Sequence, residues 1–133
     1  MAKTDVRAVD AAQPKVVGID HVQLAMPAGE EDAARRFYVG LLGLTEVAKP
    51  SHLVARGGAW FENAKVRIHL GVDADFRPAK KAHPGLVVAD LNGLIEVIRS
   101  AGHHVSQGDV REAYEHAYVE DPFGNRIELI QRG

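Results

Sequence analysis

The run Asp121-Pro122-Phe123-Gly124-Asn125-Arg126-Ile127-Glu128 reads as a tight turn that delivers a carboxylate into a final apolar strand. Far upstream, His21 and His83 each stand at the head of an apolar, strand-like run. Two imidazoles and one carboxylate from three separate strands suit Fe(II), Mn(II), Ni(II), Co(II) or Zn(II), with further positions left open. Open positions let a substrate chelate the metal through two oxygens. The ion then serves as a Lewis acid toward an enediolate or an attacked epoxide oxygen or, as iron, gathers O2 and substrate. No local spacing rule ties His21, His83 and Glu128 together, so the competing reading is three solvated or core polar side chains. His69 is a candidate fourth ligand, a group that orients a ligand, or a substrate contact. His116 and Tyr118 are candidates for acid/base or hydrogen-bonding work, against a polar strand face beside solvent. His103 and His104 alternate across a strand and so cannot share one ion; both read as solvated.

The composition limits the chemistry further. The chain has 133 residues, 46% apolar and 26% charged, which allows one domain with a modest core. A net charge of −2 gives no reason to expect a nucleic-acid partner. The absence of Cys removes disulfides, thiolate metal sites and a cysteine nucleophile together. Residues 1–14 mix charges with short apolar side chains, carry no signal-peptide core, and read as a flexible tail. No run approaches the ~20 apolar residues that span a bilayer. The expectation is a soluble, cytoplasmic protein without membrane contact.

These side chains need elements to position them. Val16 to Met26 alternates as a strand, and Glu30 to Leu42 has helical spacing closed by Gly43. Leu44 to Ala48, Ala59 to Glu62 and Lys65 to Gly71 read as strands, while 51–56 fits either a strand or one helical turn. After a connector over 72–82 the order recurs. A strand over His83 to Ala89 precedes a helix over Leu91 to Ala101, capped by Asp90 and ended by Gly102. Strands near His103 to Gln107, Ala113 to Val119 and Arg126 to Gln131 complete the second unit. The pattern is βαβββ twice, at about sixty residues per unit, a structural duplication. The fold class is α+β, with one domain over 15–133 built from modules at about 15–75 and 80–132.

Strand parity then sorts the faces. Val22, Leu24, Val66, Ile68, Leu70, Leu86, Val88, Ala117, Val119, Ile127 and Leu129 point one way, toward two amphipathic helices. His21, Gln23, Arg67, His69, His83, Tyr114, His116, Tyr118, Arg126 and Glu128 point the other. A solvated sheet face is usually Lys, Thr, Glu and Ser. One rich in His, Tyr and Arg has the composition of a ligand site.

The chain resembles the vicinal oxygen chelate superfamily: glyoxalase I, fosfomycin-resistance proteins, methylmalonyl-CoA epimerase, extradiol dioxygenases and bleomycin-resistance proteins. The likeness runs over roughly Val16 to Gln131. It rests on Asp20-His21-Val22-Gln23-Leu24, Phe37-Tyr38 with Leu41-Leu42-Gly43-Leu44, His83 through Asp90-Leu91, and the Asp121 to Leu129 segment. It implies paired βαβββ modules wrapping a concave, partly open barrel-like mixed sheet around a metal, with helices outside. It implies a divalent metal held by His21, His83 and Glu128, and His69, Arg67, Gln23, Tyr118 and His116 along the pocket, the arginine favouring an anionic group. The function implied is a glyoxalase-like lyase, isomerase or transferase acting on a small oxygenated substrate. A non-catalytic, bleomycin-resistance-like binder and a single-domain Fe(II) dioxygenase are the alternatives. Short members usually form homodimers, and the two modules that build one site come from one chain or from two. The chain departs from glyoxalase I, whose further glutamate on the fourth strand is replaced by Lys65, Arg67 or His69. Tyr118 stands where fosfomycin thiol transferases place a substrate-contacting tyrosine, but their basic residue beyond the last strand has no counterpart before Gly133.

Overall fold

Alternation of apolar and polar residues builds two sheets of the same topology. A computed structural model describes residues 14–108 and 114–133. In the first half, β1 (Val22–Met26) leads to α1 (Glu31–Tyr38), β2 (Thr45–Val47), a 3-10 turn over Ser51–Arg56, β3 (Ala59–Glu62) and β4 (Arg67–Val72). In the second, β5 (Gly85–Val87) leads to α2 (Leu91–Ser100), β6 (Val105–Gln107), β7 (Tyr114–Glu120) and β8 (Arg126–Arg132). The strand orders are β1-β4-β3-β2 and β5-β8-β7-β6, the same arrangement twice. The duplicated βαβββ order therefore holds. The outcome is two four-stranded mixed sheets rather than one closed barrel. The undecided segment 51–56 is helical, and the tail over 1–13 lies outside the described residues.

The apolar faces meet α1 and α2 in one continuous core. Phe37, Tyr38, Phe61, Ile68, Leu70, Leu91, Ile98, Ile127 and Leu129 are essentially inaccessible to solvent. Asp90 caps α2 by accepting from the Gly93 amide at 3.0 Å, as expected. The regular part of α1 is shorter than its spacing suggests. It ends at Tyr38, and the chain unwinds through bonds from Leu42 N to Phe37 O and Leu44 N to Tyr38 O, with Gly43 at φ 78°.

Both strands expected to carry the histidines start later than predicted. β1 begins at Val22, not Val16, because its parallel partner β4 begins at Arg67. Before that point Asn63 accepts the Lys65 and Val66 amides and turns the chain away. β5 begins at Gly85 because Pro84 has no N–H to give; its carbonyl accepts from Glu128 N at 3.0 Å instead. His21 and His83 each sit just outside their strands.

A buried polar knot ties the halves together. Asp121 accepts from the Tyr38 hydroxyl at 2.7 Å, from Asn125 Nδ2 at 3.0 Å, and from the amides of Phe123 and Asn125. Asn125 also donates to Ala25 O on β1 and accepts from Ala79 N in the connector. The turn that presents Glu128 is thus anchored to the first module.

Candidate metal and substrate site

On the second sheet, β7 and β8 run antiparallel with Tyr118 opposite Glu128 and His116 opposite Ile130. Period-two alternation sends His116, Tyr118, Arg126 and Glu128 to the same face. Glu128 Oε2 accepts from His116 Nδ1 at 2.7 Å, and Oε1 lies 3.1 Å from His83 Nε2. The Tyr118 ring meets the rings of both His83 and His116 edge-on. Burial raises the Glu128 pKa, but the hydrogen bonds from His116 and His83 outweigh it, so the carboxyl stays below the ordinary glutamate value.

The first sheet carries a separate set. His21 stacks on His69 with ring centroids 4.3 Å apart, and His69 stacks on Trp60 at 4.0 Å. The β3–β4 register sets Trp60 opposite His69, whereas His21 lies two residues ahead of Gln23, the β1 partner of His69. His69 is buried and donates through Nε2 to Glu62 at 3.2 Å. Arg67 faces Asp20 at 2.8 Å and Glu62 at 3.7 Å, so its charge is already matched inside the protein. The hydrogen bond from His21, with Arg67 beside it, holds Asp20 below the ordinary carboxylate range.

The structure therefore brings His83, His116, Tyr118 and Glu128 together on one sheet and gathers His21, Arg67 and His69 on the other. It does not bring His21 to His83 and Glu128. Among the described residues no group of three or more His, Asp or Glu is arranged to hold a metal ion within one chain.

The donor chemistry still fits a cation. The His83 Nδ1 contact is a main-chain carbonyl, Lys81 O at 2.8 Å, which can only accept, so Nδ1 carries the proton. His21 Nδ1 likewise donates to Asp20 Oδ2 at 2.8 Å. In a neutral ring each Nε2 then bears a lone pair, the tautomer that outer hydrogen bonds select for metal-binding histidines. For His83 that lone pair faces a carboxylate oxygen. A cation held by both groups would satisfy that pairing.

A model of the Glyoxalase/Bleomycin resistance protein/Dioxygenase superfamily matches residues 18–129. The chain belongs to this superfamily. Among solved structures, a glyoxalase family protein from Bacillus anthracis is 40% identical, with 91% of this chain and 99% of that one covered and a TM-score of 0.85. The fosfomycin resistance protein FosX from Listeria monocytogenes shares the fold at 13% identity, with coverage of 90% and 96% and a TM-score of 0.72. A glyoxalase/dioxygenase from Nostoc punctiforme does so at 21% identity, with coverage of 90% and 99% and a TM-score of 0.67. No curated protein matches.

Sequence reading missed the partners of the site histidines. Asp20 beside His21 was readable, since a carboxylate next to a ligand-type imidazole is a known orienting arrangement. Glu62 was not, because its contact with His69 depends on how β3 and β4 pair. Arg126 was on the polar, histidine-bearing face without a role.

Proposed function

We propose that this member of the superfamily is a divalent-metal-dependent, glyoxalase-like enzyme whose site is completed by two copies of the chain. His21 of one copy would join His83 and Glu128 of the other. The observation that carries this reading is the pair of half-sites on separate sheets: His83 already against Glu128, and His21 with Nδ1 tied to Asp20 and Nε2 left over. The segment ahead of β1 supports a second copy, since Val16 and Ile19 are 93% and 86% exposed and, among the described residues, no strand pairs with them.

A divalent ion bound there supplies Lewis acidity toward two oxygens of a small substrate. The protein's own groups do the rest. His116 holds Glu128 Oε2 and fixes the carboxylate plane, so that Oε1 faces His83. The Lys81 carbonyl keeps the His83 ring in one orientation. Tyr118, across the register from Glu128, offers a hydroxyl on the same face for hydrogen bonding or proton transfer to the substrate. The Trp60–His69–His21 column makes a flat wall from the first module.

The test is elemental analysis of tag-free protein, followed by melting in the presence of Mn(II), Ni(II), Zn(II) or Fe(II). Stoichiometric metal, or an upward melting shift of several degrees with one ion, is expected from mass action. No metal and no shift would favour a non-catalytic small-molecule binder. Uptake of oxygen with a catechol-type substrate and Fe(II) alone would mark a dioxygenase.

A further inference from the structure

Arg126 stands two residues before Glu128 on β8, so it leaves the sheet on the same face. Its guanidinium lies over the Tyr118 ring, 3.9 Å from the centroid, and one N–H reaches the Lys80 carbonyl at 3.5 Å. Among the described residues no carboxylate is within ion-pair distance of it. The acid opposite it in the β7–β8 register, Glu120, is taken by Lys80 at 3.1 Å. This is the reverse of Arg67, which two carboxylates engage. A pocket of about 230 Å³ opens here, lined by Lys80, His104, Ser106, Tyr118, Glu120 and Arg126.

We propose that this pocket receives an oxyanion group of the substrate, a carboxylate or a phosphate, and that Arg126 is its main reader. A guanidinium offers two parallel N–H donors matched to such a group. The stack on Tyr118 holds the fork in one plane, and Ser106, opposite Tyr118 in the β6–β7 register, adds a hydroxyl on the same side. The substrate is then an anion with its oxygenated, reacting part toward Glu128. This rests on the site assignment above for the reacting end only; the anion pocket lies wholly within one chain.

The experiment is an NMR titration of chelator-treated protein with inorganic phosphate and, separately, with acetate. Metal-free protein makes the result independent of whether Glu128 binds a metal. Saturable shifts at Ser106, Tyr118 and Arg126 are expected from at least one anion, weakened by added salt. Arg126→Ala should weaken binding about tenfold or more, and Arg126→Lys should recover only part, because a point charge lacks the fork. Arg126→Gln, similar in length but neutral, repeats the measurement if the alanine variant does not fold. Preference for phosphate or for acetate identifies the group. No saturable binding of either anion, or unchanged affinity in the neutral variants, would overturn the proposal.

Discussion

Tyr38 shows how much depends on single polar atoms in this core. Its ring is inaccessible to solvent, stacked against Phe61, and its hydroxyl donates to Asp121 at 2.7 Å. Burial, and then the Asp121 carboxylate, push the phenol well above its ordinary value of 10.0. The folded state therefore holds the neutral form. Stability is full below pH 10 and falls as pH rises beyond it, because the unfolded chain ionises first. Tyr38→Phe should cost about 1.5–3 kcal/mol at neutral pH, the worth of a hydrogen bond to a charged group. It should also remove this part of the alkaline loss; urea unfolding of both proteins at neutral and high pH would show it. An equal alkaline slope in the two would contradict the assignment. At this scale the sequence was informative about side-chain types and faces, since parity sent His83, His116, Tyr118 and Glu128 to one side. It did not show the contact between Tyr38 and Asp121, which joins residues 83 positions apart.

At the scale of elements, glycines mark where backbone geometry rather than packing decides the outcome. Gly43 and Gly58 both have positive φ, at 78° and 82°. A Cβ on Gly43 meets nothing within 4 Å, whereas one on Gly58 would run into the Leu70 carbonyl oxygen where β3 pairs with β4. Gly43→Ala should therefore cost about 1 kcal/mol, from backbone strain alone. Gly58→Ala should cost more, because the β3–β4 ladder must shift as well. Thermal unfolding of the two variants orders them, and equal losses would contradict the argument. Element order was readable from the sequence, as was Gly102 at the end of α2, and β3 was read to the residue, whereas α1 ends at Tyr38 ahead of Gly43. The starts of β1 and β5 were not. Apolar alternation from Val16 looks like strand, but a strand also needs a neighbour, and β4 supplies none before Ile68. The consequence reaches the site, since His21 is held by Asp20 and the ring stack rather than by a strand ladder.

At the scale of the whole molecule, the duplication that makes the core divides the functional face. The apolar sides of both sheets and both helices close on one another, while the histidine-bearing sides stay separate. The sequence showed which residues share a kind of face, but not that the two faces belong to different sheets of one chain; that depends on how the modules pack. The Asp121–Asn125 knot keeps this packing, so Asp121→Ala, which strands several buried donors, should cost roughly 3 kcal/mol or more and loosen both half-sites. The shared metal site itself is tested by mixing two variants. His21→Ala and Glu128→Ala should each lose stoichiometric metal binding while keeping the fold. Unfolded and refolded together in equal amounts, they should recover about a quarter of the wild-type metal content, because random pairing into two-fold dimers leaves one intact site in half of the pairs. Full metal occupancy in either variant alone, or none in a mixture shown to contain mixed pairs, would contradict a site built from His21 of one copy with His83 and Glu128 of the other.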